Sequence, residues 1–556
     1  MGGSHSTETG KKNCENFDEE IHKWLQSPTD RFFINIRAPN LLQVVDAPRE
    51  ILQDLLQILG ETAKCVRPIW HANCYEIEFS GSPFSDQSNV EEGTQSIDVS
   101  FCHFLAALHN QHWQPHLAVN LSPFCDLSTC YFQKSIHSPS ISNSECENAD
   151  VVSVTFQTPF TVQVTSNDDG CLDSICSLIQ SALLTTSKLL HVEKIEITSM
   201  SSSDRTRKLT VSCNLWRTVT LPDSILSRRF LLEIVWQLEN RGYRLSICID
   251  LRGNADTLFF IKSNCKPAHH LETYCMISAN RWDLLRLYEA PKDLVDVTRL
   301  LLNQHLPQGV ESESVYPNWH EFQFSTFPWA SRAADAVQSY SMVSTLLQTY
   351  LARGWKPVAS VQMTRTFKDR SSIILRKEKP AYRPHMCLGL LDSNELHLIN
   401  AEEDLRDYVL DLVCRPSNLK GKVSKINAKG GWPFLTLRGD PWCTISLANY
   451  QNNNQISGHR ENKATDYDHL EARALLQKLL IALRFRGWDT VISLDLAARV
   501  KYKRKPSSGS TVRNNSGRSC GSCVTAGEES MPLDVNSLIL ANVNGSRHNS
   551  LARAGQ

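Results

Sequence analysis

The chain begins with a sequence that fits the attachment of a fatty acid. Removal of Met1 would leave Gly2 as the first residue, at the head of a G-x-x-x-S pattern that ends at Ser6. This pattern is typical of N-myristoylation, in which the acyl chain is joined to the glycine amine. The sequence therefore predicts lipidation at Gly2.

One myristoyl chain binds membranes only marginally and reversibly, at about 0.8 kcal/mol per buried CH₂ group, so stable anchoring needs a second contribution. Lys11 and Lys12 are close enough to Gly2 to contact anionic lipid, at about 1 kcal/mol each. Cys14 is a second candidate acyl acceptor. We expect reversible association with the cytoplasmic face of a membrane.

A basic segment, KYKRKP, lies near the C-terminus of the chain. Its cations are Lys501, Lys503, Arg504 and Lys505. It is interpreted either as a lipid-headgroup or nuclear-import patch, or as the solvated end of a strand. In the Ser-, Gly- and Arg-rich tail that follows, three serines each stand three residues after an arginine, which predicts phosphorylation. They are Ser507, Ser516 and Ser550.

Carboxylates that could act in catalysis are few. Asp250 and Asp495 occupy matching positions in two similar strands, where other copies have Asn120 and Gln362. No paired carboxylate or histidine stands at a spacing that would give general acid–base chemistry. We therefore assign no catalytic residue.

Cations recur where four similar strands end, and two interpretations remain open. They are Lys134, Lys262, Arg376 and Lys377, with KYKRK in the last copy. Such cations could line an anion site between units, or they could protect sheet edges against aggregation.

Metal and redox chemistry are not indicated. His269, His270 and Cys275 are close in sequence but lack further ligands at a metal-binding spacing. The CGSC sequence at 520–523 has a redox spacing, but no helix pattern follows it. We expect no metal and no cofactor.

Composition indicates a globular protein of the cytosol. Its 58 basic and 59 acidic residues give a net charge of −1, which offers no general attraction to nucleic acid. No apolar run is long enough to cross a bilayer. The 18 cysteines are then interpreted as reduced, mostly buried thiols.

One phrase is written twice without a gap. NLLQVVDAPREILQDLL at 40–56 matches DLLRLYEAPKDLVDVTR at 283–299. A third copy occurs at 386–406 with the same internal spacing, and a weaker one at 153–179. Each copy predicts two strands and a helix, with Asp46 or Glu289 and Ala-Pro at the turn. A second module alternates with it, namely a strand, a Pro–aromatic turn, a helix that ends at Gly242, Gly354 or Gly487, and two further strands.

The sequence therefore predicts an α+β protein of four tandem ββ-α-β-α-ββ units, each of roughly 105–120 residues, packed as domains or as an arc. We assign a flexible N-terminus at 1–30, units at 31–135, 151–263, 272–377 and 384–505, a Ser-rich linker at 136–150, and a disordered tail at 506–556. The Pro-Trp turns, Gly-Trp helix ends and D-L strands over 31–505 resemble a family of tandem α/β-repeat proteins. That resemblance implies a repeat fold and no particular activity.

Two hypotheses of function follow from these residues. The first is a non-enzymatic adaptor, tethered through Gly2, that presents the repeats to a protein partner. The second is a lipid- or phosphate-binding protein or enzyme with a pocket between units, lined by the recurring cations. A soluble protein with neither tether nor pocket is a third alternative.

Overall fold

A computed structural model describes most of the repeat region. The described residues are 30–62, 65–71, 74–84, 96–121, 126–135, 149–157, 160–189, 197–203, 205–212, 221–253, 255–262, 273–306, 308–330, 333–363, 369–391, 394–414, 423–429, 432–437, 442, 466–496 and 537–543. Within them, none of the helices is both long and apolar enough to cross a membrane.

The chain forms four α+β units, as the sequence predicts. The elements of the first unit are β1 (Arg31–Arg37), β2 (Leu41–Val45), α1 (Arg49–Thr62), β3 (Cys65–His71), β4 (Cys74–Phe79), α2 (Ile97–Asn110), β5 (Trp113–Val119) and β6 (Asp126–Lys134). Those of the second are β7 (Val151–Gln157), β8 (Thr161–Ser166), α3 (Leu172–Leu189), β9 (Ile197–Ser203), β10 (Thr206–Val211), α4 (Leu221–Asn240), β11 (Tyr243–Asp250) and β12 (Asp256–Lys262).

The other two units repeat this order. The elements of the third are β13 (Tyr274–Asn280), β14 (Leu284–Tyr288), α5 (Lys292–His305), β15 (Val310–Tyr316), β16 (Trp319–Phe324), α6 (Ala333–Ala352), β17 (Trp355–Val361) and β18 (Asp369–Lys377). Those of the fourth are β19 (His385–Leu391), β20 (Glu395–Ile399), α7 (Glu403–Cys414), β21 (Val423–Lys429), β22 (Trp432–Leu437), α8 (Asp466–Phe485), β23 (Trp488–Leu494) and β24 (Ser537–Asn542).

Each unit contains one strand more than the predicted order, so the order is ββ-α-ββ-α-ββ. The added strands β3, β9, β15 and β21 each form the outer edge of a six-stranded antiparallel sheet. In the first sheet the strand order is β3-β4-β2-β1-β6-β5, and the third and fourth sheets repeat it. The second sheet has the same arrangement, written from its other edge.

The last strand of the fourth unit is not the one predicted. We expected Arg499–Lys505 to close this unit, but the strand paired with both β19 and β23 is β24, from the segment assigned to a disordered tail. The sequence Ser537–Asn542 suits the position because five of its six residues are buried. The Arg499–Lys505 segment lies outside the described residues.

Local turns follow from residues that accept a positive φ. The helix ends at Gly242, Gly354 and Gly487 have φ of 85°, 81° and 82°, in the left-handed region that favours glycine. His112 replaces this glycine in the first unit and has φ of 64°. In the third unit a Cβ atom at Gly354 would lie 2.4 Å from the carbonyl oxygen of Glu378, so glycine is required there.

The four hydrophobic cores are shared between neighbouring units. Each core joins the helices and one sheet face of a unit to the opposite sheet face of the next unit. In β1, for example, Phe32 and Ile34 belong to the core between units one and two, while Phe33 faces the helices of unit four. Because both sheet faces are covered, the inner strands are apolar runs rather than alternating sequences.

This sharing closes the units into a ring, rather than into separate domains or an open arc. The second helix of each unit packs on the next sheet: α2 on β7, α4 on β13 and α6 on β19. Helix α8 returns to the first unit, where the Arg473 carbonyl accepts a hydrogen bond from the Tyr131 hydroxyl at 3.1 Å. At the centre, β5 contacts β11, β11 contacts β17, β17 contacts β23, and β23 contacts β5.

Candidate functional site: the polar axis of the ring

The four central strands bring matching polar residues together at the axis of the ring. Asn120, Asp250, Gln362 and Asp495 each stand at the C-terminal end of one of these strands, and each is at most 8% exposed. Asp250 and Asp495, which occupy matching positions in the sequence, therefore also occupy equivalent positions at the axis. We call these four residues the axial residues.

Hydrogen bonds repeat from unit to unit around this axis. The backbone N–H of Asp250 donates to Ser128 Oγ of the preceding unit at 3.0 Å. In the same way the N–H of Gln362 donates to Asp256 Oδ2 at 2.7 Å, and that of Asp495 to Ser371 Oγ at 2.9 Å. Three of the four axial residues are thus held by a side chain of the preceding unit.

The two axial carboxylates act as structural acceptors. Asp250 Oδ1 accepts the backbone N–H groups of Arg252 and Gly253, at 3.0 and 2.6 Å. Asp495 accepts a hydrogen bond from Gln362 Nε2 at 2.9 Å and pairs with Arg370 at 3.3 Å, both charged side chains being 1% exposed. These contacts orient the carboxylates toward protein partners in the turn and the neighbouring unit.

A small polar cavity lies beside the axial residues. It is lined by Ala118, Asn120, Ser128, Cys248, Asp256, Ser360, Gln362, Ser371 and Ser493. The space open to the centre of a water molecule is about 20 Å³, which is enough for a bound water. At this place the described residues therefore form a small cavity, and not a deep pocket that joins Asp250 or Asp495 to the recurring cations.

The recurring cations lie at the ends of β6, β12 and β18 that are far from the axial residues. Lys262 pairs with Asp150 at 2.6 Å and lies over the Tyr243 ring. Lys377 donates to the Arg353 carbonyl at 3.0 Å and lies over the Trp355 ring. In both units the cation stands directly opposite the aromatic residue that begins the central strand, so it covers an aromatic ring at the sheet edge.

Arg376, beside Lys377, bridges two units. It pairs with Glu239 of the second unit at 2.8 Å and with Glu378 of its own unit at 2.6 Å. The fourth unit has Asn542 at the position of these lysines, opposite Trp488. The cationic series predicted from the sequence therefore continues in three units, and the described residues of the fourth end it with an amide.

A buried ion pair between units one and two was not expected from the sequence. Asp98, at the start of α2, is fully buried and accepts hydrogen bonds from Arg252 at 3.0 Å and from Gln163 at 2.7 Å. Burial alone would raise the pKa of the Asp98 carboxyl. The charge of Arg252 and the hydrogen bonds from Arg252, Ser96 and Gln163 outweigh the effect of burial. They hold this pKa below its ordinary value.

The candidate metal and redox residues give no cluster in the described part of the chain. Cys275 is buried in β13, and burial raises the pKa of its thiol well above the usual range. His269, His270 and the CGSC sequence lie outside the described residues. Among the residues that are described, no group of three or more His, Cys, Asp or Glu side chains could hold a metal ion.

The predicted modification and membrane sites all fall outside the described residues. They are Gly2, Lys11, Lys12 and Cys14 at the N-terminus, Lys501, Lys503, Arg504 and Lys505 in the basic patch, and Ser507, Ser516 and Ser550 as phosphorylation sites. Topology nevertheless changes their setting. The basic patch, Ser507 and Ser516 stand between β23 and β24, and so within the fourth unit rather than after it.

Comparison with known proteins agrees with the repeat architecture. A family model, whose description names no function, matches residues 31–133 and 273–376, which are the first and third units. Comparisons with curated proteins and with solved structures found no match. The two matched units are those that carry the repeated phrase of the sequence.

Proposed function

We propose that this protein is a non-enzymatic adaptor, a closed ring that presents its outer surface to a protein partner and is tethered reversibly to a membrane through Gly2. The observation that carries the proposal is the location of the apolar side chains that remain exposed. The cores and the axis are packed, whereas four of the seven large apolar side chains that are exposed among the described residues belong to unit three.

Three of these residues lie on neighbouring elements. Leu300 on α5 and Val315 and Tyr316 on β15 are 56%, 71% and 42% exposed, and we call them the outer patch. Val315 lies on the face of β15 that carries Glu313, and Tyr316 lies on the opposite face, stacked on Trp319. An ion pair between Arg299 and Glu313 joins the same two elements. Exposed apolar groups rimmed by charges are typical of protein-binding surfaces.

The edge strand β15 gives this surface a second means of contact. It pairs only with β16 on one side among the described strands, so its other edge presents backbone groups outward. A partner could add a strand there while packing on Val315 and Tyr316. The outer patch therefore suits a protein ligand better than a small molecule.

The tether accounts for the N-terminal sequence. Acylated Gly2 would supply the reversible anchor, and Lys11, Lys12 or acylated Cys14 would supply the second contribution. The cytoplasmic face of a membrane is the proposed location, and phosphorylation of Ser507, Ser516 or Ser550 would add negative charge near the basic patch or after β24.

Intact mass and fractionation test the tether. Protein purified from eukaryotic cells should have lost Met1 and gained one myristoyl group, and Gly2→Ala should move the protein to the soluble fraction. Thr7→Ala, next to Ser6, is the matched control and should keep wild-type distribution. The tether is rejected if the wild type is unmodified and if the wild type and Gly2→Ala are both found in the soluble fraction.

Proximity labelling tests the adaptor function. Val315→Lys should remove at least one protein neighbour that the wild type labels. Leu184→Lys, an equivalent change at a 43% exposed residue of unit two, should keep it. Retention of every neighbour by Val315→Lys would reject the outer patch as the binding surface.

A further inference from the structure

The fourth sheet is completed by a strand that is distant in sequence. In the second unit, only residues 251–255 connect the central strand β11 to its partner β12. The corresponding connections of units one and three are 120–125 and 362–368. In unit four, residues 495–536 stand between β23 and β24.

The groove between β19 and β23 binds β24 along both edges. Antiparallel pairs run from His385↔Ala541 to Leu388↔Leu538 on one side and from Trp488↔Asn542 to Leu494↔Ser537 on the other. Beyond the strand, the N–H of Val543 donates to the Gly487 carbonyl at 2.7 Å. The groove therefore fixes both the direction and the register of its strand.

Side chains of β24 enter two different cores. Leu538 and Leu540 join the core shared by units four and one, and Ile539 joins the core shared by units three and four. All three are fully buried. The groove thus selects a strand with large apolar residues on both faces, and this strand seals the ring on both sides of unit four.

The connection is far longer than this geometry needs. Leu494 and Ser537 are directly paired, so a turn like those of the other units would join them. A chain of about 40 residues can extend to roughly 130 Å. Ser537–Asn542 of one copy can therefore reach the same groove of another copy while its own ring stays in place.

We propose that the groove between β19 and β23 accepts Ser537–Asn542 from a second copy of the chain, so that two copies dimerise by exchanging their C-terminal strands. Exchange of an identical element preserves every contact of the closed ring, which makes it a low-cost route to a dimer. The effective concentration of a tethered strand at its own groove falls with about the −3/2 power of tether length. It is therefore roughly 20-fold lower for a tether of about 40 residues than for one of about five.

A disulfide between copies tests the exchange in the full chain. One copy carries Asp489→Cys on β23 and the other carries Ala541→Cys on β24, because these residues are directly paired. The two are co-expressed, oxidised and analysed by non-reducing electrophoresis, with the linked peptides identified by mass spectrometry. The matched control is Arg244→Cys with Ile261→Cys, the corresponding pair of unit two.

We expect a dimer linked through 489 and 541 at about 20-fold the level of the unit-two control. Deletion of residues 499–530 leaves residues 495–498 and 531–536 as the connection. It should lower the dimer to about threefold the control level. The proposal is overturned if Asp489→Cys/Ala541→Cys in one chain closes its own disulfide while mixed copies give no dimer above the control. It also fails if that double variant does not link, because β24 would then not lie beside β23.

Discussion

Units three and four reach the same sheet by different routes along the chain. The elements of unit three follow one another from Tyr274 to Lys377, whereas the last strand of unit four comes from Ser537–Asn542. Leu375 and Leu540 nevertheless hold the same place, two residues before the residue paired with Trp355 or Trp488, and both are fully buried. A strand is thus placed by its pairing and burial, not by its distance along the chain.

The two units also differ at the first residue of their first strand. Tyr274 begins β13, and His385 begins β19 at the corresponding place. Burial lowers the pKa of His385 to about 4, partly opposed by its hydrogen bond to the Arg383 carbonyl. Unit four is therefore expected to be the acid-sensitive member of the pair.

Removing β24 should have the largest effect on this comparison. A chain that ends after residue 530 lacks β24 and so loses the buried side chains of Leu538, Ile539 and Leu540, each worth about 1.5–3 kcal/mol of burial. This total approaches the 5–15 kcal/mol stability of a typical domain, so we expect unit four to unfold. Deletion of 499–530 keeps β24 and shortens its connection, so it should keep the melting temperature or raise it slightly. A calorimetric profile unchanged by the truncation would contradict the role of β24.

Breaking the ion pair between the units should have the next largest effect. Arg370→Ala leaves Asp495 buried without its charged partner, at about 3–5 kcal/mol in the free energy of unfolding. The double variant Arg370→Leu/Asp495→Asn introduces the neutral residues of unit one, Leu127 and Asn120, and should recover most of that loss. Denaturant unfolding gives both values, and a single variant as stable as wild type would show that the pair is not buried as described.

A fall in pH should lower the stability of unit four more than that of unit three, with a smaller effect than the two changes above. The folded pKa of His385, about 4, is below the ordinary 6.5, so the unfolded chain binds the proton more readily. Stability is therefore complete above pH 6.5 and is lost as pH falls toward 4, by an amount on the order of 2 kcal/mol. His385→Tyr, which introduces the residue of unit three, should flatten the melting temperature between pH 7.5 and 5, and equal slopes for both proteins would reject this assignment.

The sequence predicted the repeated elements because they carry strong local patterns. The helix ends at Gly242, Gly354 and Gly487 are observed where glycine indicated them. The outer edge strands were missed because a segment such as VESESVY is polar and largely exposed, with no alternation of apolar residues. β24 was missed because an adjacent segment was expected to complete the sheet.

The polar contacts between units could not be predicted locally. Arg370 and Arg473 are fully buried, yet each finds its polar contact in a neighbouring unit of the ring, at Asp495 and at Thr129. Asp98 likewise depends on Arg252 of unit two. Such contacts exist only after ring closure, which the repeats alone left open between paired domains and an arc.

The most direct test compares two identical substitutions at matching places. Leu375→Ala and Leu540→Ala each remove a fully buried leucine from the fifth strand of a sheet. If β24 completes unit four as β18 completes unit three, both should lower the free energy of unfolding by about 2–5 kcal/mol in guanidinium titrations. A full loss for Leu375→Ala with none for Leu540→Ala would show that the ring closes without the C-terminal strand.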